Sequence, residues 1–72
     1  MARRIISDTS ILGGTPVIEG TRIPVYLVLD YLADGYSVGD ILADFPYLSA
    51  EDVSAALEYA SQLVREPAPI SP

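Results

Sequence analysis

Ser37-Val38-Gly39-Asp40-Ile41-Leu42-Ala43-Asp44-Phe45-Pro46-Tyr47-Leu48-Ser49-Ala50-Glu51-Asp52-Val53 is the stretch whose reading decides the fold. It uses one device twice. A serine is followed three positions later by an aspartate, and an apolar run then begins, which is how a reciprocal N-cap is written in sequence. After Ser37, residues Val38, Ile41, Leu42 and Phe45 recur at i, i+3, i+4 and i+7, and Pro46 stops the helix. After Ser49, the stripe Val53, Ala56, Leu57, Ala60 and Val64 predicts a longer helix with one buried face. A short helix, a tight turn and a longer helix make a helix-turn-helix spacing.

Upstream, Pro24 suits a first helical position and Gly35 suits a C-terminal cap, so the predicted first helix runs from Pro24 to about Asp34. Val25, Val28, Leu29 and Leu32 share one of its faces, while Leu27 and Tyr31 sit beside Asp30 and Asp34 on the other. A helix apolar nearly all round predicts cover on both sides. Residues 1–23 read as extended. Ile5-Ile6 is β-branched, Asp8-Thr9-Ser10 is a turn, and Gly13-Gly14 punctuates the chain. Val17-Ile18 and Arg22-Ile23 flank Glu19-Gly20 in the manner of a tight hairpin. Glu66 to Pro72 is proline-rich and cannot extend the last helix. The expected fold class is therefore mostly α. It is a compact three-helix bundle over 24–65, with a short N-terminal β-ribbon within 1–23 and a disordered tail at 66–72.

The 72 residues make one domain and carry a net charge of −6. Histidine, cysteine and lysine are absent, and all four basic residues are arginines: Arg3, Arg4, Arg22 and Arg65. With neither histidine nor cysteine, the common transition-metal sites cannot be built. Without lysine, Schiff-base chemistry and a Walker-type phosphate loop are excluded. The expectation is a binding module rather than an enzyme, needing no cofactor or metal. The acidic balance favours a basic protein as partner over nucleic acid or an anionic membrane. No apolar run reaches membrane-spanning length, and a cytoplasmic location is expected. A domain this small without disulfides commonly leans on association, so a homodimer or a partner complex is expected.

Candidate sites each have two readings. Gly20-Thr21-Arg22 is a structural turn, with Arg22 paired to Asp8 or Glu19, or else Arg22 holds a phosphate or carboxylate through its fork of donors. Arg3 and Arg4 are either a solvated terminus or, with Arg22, an arm for a nucleic-acid backbone. Tyr26, Leu27, Tyr31 and Tyr59 lie off the main stripes; they are either core rim or interface anchors, a role in which tyrosine is enriched. The predicted outward face of the last helix (Ala50, Glu51, Ser54, Glu58 and Ser61) holds two acids and no base, a poor fit to the major groove. Asp30 with Asp34, and Asp40 with Asp44, are like-charge i, i+4 pairs; they are either a solubilising surface or a negative face steering a basic partner.

The run Gly13-Gly14-Thr15-Pro16-Val17-Ile18-Glu19-Gly20-Thr21-Arg22-Ile23-Pro24-Val25, preceded by Ile6-Ser7-Asp8, resembles the signature of domain of unknown function family four-three-three. Leu32-Ala33-Asp34-Gly35-Tyr36-Ser37, Ile41 to Leu48, Glu51-Asp52-Val53 and Ala55 to Ala60 are similar to it as well. The resemblance covers roughly residues 5 to 62. It implies a homeodomain-like trihelical fold and a VapB-like antitoxin that neutralises a PIN-like ribonuclease toxin by direct binding. Autoregulation of its operon, a helix-turn-helix DNA-binding regulator, and a non-catalytic adaptor are the other roles considered. Arg65 and the tail become candidates for toxin contact, since antitoxins commonly order a C-terminal segment on their toxin. One departure stands out: the family has Asp-Pro where this chain has Asp8-Thr9.

Overall fold

The structure, a computed structural model, describes residues 3–65. The expected tail at 66–72 lies outside the described residues. Six elements follow in order: β1 (Ile5–Ile6), a 3-10 turn (Leu12–Gly14), β2 (Val17–Ile18), α1 (Val25–Ala33), α2 (Val38–Asp44) and α3 (Ala50–Val64). The architecture is mostly helical, with a short antiparallel two-stranded sheet in front of three packed helices.

Both serine devices form in full. The Ser37 and Ser49 hydroxyls accept from the Asp40 and Asp52 backbone N–H groups, and each aspartate accepts in return from its serine's N–H. The first helix starts one residue later than the sequence suggests. Pro24 has extended φ/ψ and stands at the N-cap, and Val25 opens α1. Its end is as expected. Gly35 takes φ 93°, its N–H reaches the Leu32 carbonyl, and the Tyr36 N–H reaches that of Tyr31. This is the Schellman termination, which glycine permits because it has no Cβ to clash.

The ribbon differs in its main pairing. The expected hairpin exists locally, with the Ile18 N–H donating to the Ile23 carbonyl at 3.0 Å and a bridge between Val17 and Pro24. It adds one more bond, from the Val25 N–H to the Pro16 carbonyl at 3.0 Å, and ends there because Val25 opens α1. The strand partner of β2 is instead β1, in the register Ile5 to Ile18 and Ile6 to Val17. The ribbon therefore closes within one chain. Val17 and Ile18 are fully buried, which a fragment paired on one side and open on the other would not achieve. The Asp8 turn closes without proline, because the Asp8 carboxylate accepts from both the Ser10 N–H (2.9 Å) and hydroxyl (2.7 Å).

Ile18, Ile23, Val25, Val28, Ile41, Leu48, Val53 and Ala56 form one core cluster drawn from the sheet and all three helices. Burying an aliphatic side chain of this size contributes roughly 1.5 to 3 kcal/mol, so this cluster is the main source of stability. Most other members of the predicted stripes pack against it, but three do not. Val38 and Leu57 are at the exposed margin, and Val64 is largely exposed. The last turn of α3, after Ala60, runs past the body it packs on, and periodicity carries no information about where that support ends.

Candidate functional site

The glycine and threonine of the Gly-Thr-Arg run build the turn. Gly20 has φ 80°. The Thr21 hydroxyl donates to the Ile18 carbonyl at 2.6 Å and accepts from the Ile23 N–H at 3.0 Å, spanning the hairpin from inside. Arg22 is exposed and makes no ion pair with Asp8 or Glu19.

Arg3 is drawn into the fold. Its backbone N–H donates to Asp52 Oδ1 at 2.7 Å, and its guanidinium lies 3.9 Å from Asp52 Oδ2. Its Nη1 is buried and forms no hydrogen bond. Arg4 is exposed and offers its carbonyl to the Glu19 N–H. Arg3 and Arg4 line a shallow cleft together with Glu58, Tyr59 and Gln62 of α3, and Arg22 is not part of it. The three expected arm residues are thus not gathered on one basic face. The outward positions of α3 are exposed as predicted, and Glu51, Ser54 and Glu58 line a second shallow depression there.

Asp52, missed as a site by sequence reasoning, is only 3% exposed. Burial pushes its pKa up. The N–H groups of Arg3 and Ser49, the Arg3 charge and the Ser49 hydroxyl outweigh burial and hold it below its ordinary value of 3.8. It completes the capping box of α3 and holds the backbone just before β1 at once.

Two surfaces carry large exposed apolar or aromatic side chains. The first is a cleft of about 180 Å³ between the start of α1 and the end of α3. Pro16, Tyr26, Leu29, Tyr59, Ala60 and Leu63 are among its walls, which are almost wholly apolar. Tyr26 is 56% and Leu63 57% exposed. The fold thus brings together two of the expected anchors, Tyr26 and Tyr59, across a helix pair. Leu27 is packed against the core and does not reach this cleft. Arg65 closes α3 beyond Leu63, and its Nε donates to the Ser61 hydroxyl at 3.2 Å. Leu29 and Leu63 escaped the sequence reading, because Leu29 was assigned to the core face and Leu63 belonged to no stripe.

The second surface is a rim at the opposite ends of α1 and α2, where Tyr31 is found. Its hydroxyl donates to Asp44 Oδ2 at 2.9 Å. That bond chiefly, with burial and the neighbouring Asp44 and Tyr36, raises the Tyr31 pKa above the ordinary phenol value. The Tyr31 ring stands 5.1 Å from that of Tyr36 and 5.8 Å from that of Phe45, and Phe45 stands 6.5 Å from Tyr47.

Among the described residues, no group of three or more acids could hold a metal ion, and no helix is long and apolar enough to cross a membrane. The chemistry available to both surfaces is recognition by packing, ring stacking and charge.

Residues 5–60 match the family described as "Protein of unknown function (DUF433)". The chain is 50% identical over 60 residues to the uncharacterized protein y4eO of Sinorhizobium fredii (strain NBRC 101917 / NGR234). That alignment covers 82% of this chain and 27% of the relative, so the chain spans only a fraction of that protein's length. A crystal structure of a DUF433 member protein from Anabaena variabilis ATCC 29413 superposes with a TM-score of 0.79 at 38% identity, covering 83% of this chain and 59% of that one. From the Ile5–Ile6 strand to Ala60, which takes in the whole sheet and most of the bundle, the chain belongs to the DUF433 family.

Proposed function

We propose that this chain is an antitoxin-like binding module that neutralises a PIN-like ribonuclease by direct protein–protein contact, seating part of the nuclease in the apolar cleft. The observation that carries the reading is the cleft itself. Tyr26, Tyr59 and Leu63 are large apolar or amphipathic side chains held on rigid helices around a concave wall, the composition from which the anchors of protein interfaces are drawn. The ribonuclease as partner is supported by the resemblance of the Gly13 to Val25 run to predicted antitoxins. Protein rather than DNA is supported by charge. The net charge is −6, the outer face of α3 holds Glu51 and Glu58, and Arg3 is engaged with Asp52.

Occlusion requires complementarity and no catalytic step on this chain. The test is co-expression with a PIN-like protein encoded beside it. Growth arrest by the nuclease alone, relieved by this chain, with a complex that co-purifies, is the expected outcome. Unrelieved toxicity with no complex overturns the reading.

A further inference from the structure

The aromatic rim is a surface that the cleft does not use. Tyr31 and Phe45, its two inner rings, pack against the core. The outer two, Tyr36 and Tyr47, are 52% and 55% exposed and so contribute little to folding for their size. The four rings form a connected run across the ends of α1 and α2.

The charges that α1 and α2 place at their C-terminal ends are acidic. Asp34 is the C-cap of α1, Asp44 is the last residue of α2, and neither helix has a base in its last turn. Helix C-termini already bear partial negative charge and are stabilised by cations, so acids there work against the fold. The faces of aromatic rings are negative too. Asp44 gives one oxygen to Tyr31, and the other accepts no hydrogen bond among the described residues. α3 is the contrast, since it closes on Arg65.

We infer that this rim is a docking surface for an arginine-bearing segment of a partner protein. A guanidinium lies over the Tyr36 and Tyr31 rings and donates to the Asp44 carboxylate. Arginine fits better than lysine because its planar, weakly hydrated head stacks on a ring while still presenting donors at its edge. A nucleic acid is the wrong occupant, since its phosphates would meet Asp34 and Asp44. This goes beyond the antitoxin reading and stands whether or not the partner is a nuclease.

The test is an NMR titration of the full chain with a short peptide alternating glycine and arginine, beside lysine and citrulline versions of it. The arginine peptide is expected to shift the resonances of Tyr31, Tyr36, Asp44, Phe45 and Tyr47. Tyr36→Leu and Asp44→Asn are each expected to weaken it by about two- to five-fold, the usual worth of an exposed cation–ring contact and of an exposed ion pair respectively. The lysine peptide should bind more weakly and the citrulline peptide not at all, and Glu58→Gln, on α3, should change nothing. If Tyr36→Leu loses helicity by circular dichroism, Asp44→Asn, which leaves every ring in place, carries the test with the same expectation. Shifts spread equally over Glu51 and Glu58, equal binding of the arginine and lysine peptides, or a loss in Glu58→Gln matching that of the rim variants would overturn the inference. The assay contains no nuclease, so its failure is distinct from failure of the co-expression experiment.

Discussion

Asp52 combines a sequence feature that was legible with one that was not. Its partnership with Ser49 follows from three-residue spacing. Its bond to the Arg3 N–H joins positions 49 apart, and no local pattern encodes that. A carboxylate this buried is tolerated only because its lone pairs are filled by N–H donors. Its folded-state pKa lies below the ordinary 3.8, so the stability it contributes is present above that value and is lost as pH falls through the folded value. Urea midpoints of the native chain should therefore drop on acidification below about pH 4, where an unfolded aspartate takes up its proton. Asp8 and Asp40, also held low by serine donors, add to the same slope. Asp52→Asn should cost roughly 1 to 3 kcal/mol at neutral pH, the worth of hydrogen bonds to a charged group, and should flatten the acid slope. An unchanged slope in that variant would assign the acid loss to the exposed carboxylates.

At the scale of elements, helix boundaries were the most legible feature and strand pairing the least. Caps are local chemistry, so Ser37, Ser49 and Gly35 could be read directly. The partner of β2 could not, because Ile5-Ile6 and Arg22-Ile23 are both two-residue segments able to pair with it, and so short a strand carries no register of its own. What separates them is that the chain after Arg22-Ile23 turns into α1 at Val25, while Ile5-Ile6 is free to form the other pairing. The tyrosines were ambiguous for a similar reason. Off-stripe position marks a side chain as unassigned, and only packing divided them between cleft and rim. The Schellman end of α1 also sets part of the rim, since Tyr36 follows Gly35 and turns back beside Tyr31. Gly35→Ala, with φ 93° and open space around its Cβ, should destabilise by about 1 kcal/mol through backbone strain alone. Thermal unfolding followed at 222 nm would check this. A neutral effect would mean that the turn relaxes to another form.

For the whole molecule, the apolar cleft and the acidic aromatic rim occupy different ends of α1. This lets the fold and the docking chemistry be separated by mutation. Tyr26→Asp and Leu63→Asp each place a charge on the cleft while sparing the core cluster. Their effect on the free chain should stay within about 0.5 to 1 kcal/mol, as for exposed positions generally. Affinity for the proposed nuclease partner should fall by about ten-fold or more, the usual signature of an anchor residue. Calorimetry on the purified complex measures both. Full binding by the double variant would place the interface elsewhere.

The bond from Arg3 to Asp52 also has a kinetic meaning. It closes 49 positions of the chain into a loop whose fastening point is the first turn of the last helix. Forming it is a late event, because the chain between must first be ordered, and opening it undoes a strand and a helix cap in one step. Hydrogen exchange should register this as concerted behaviour. The amides of Arg3 and Ser49, distant in sequence and placed in different elements, should exchange at matching rates, because a single carboxylate protects both.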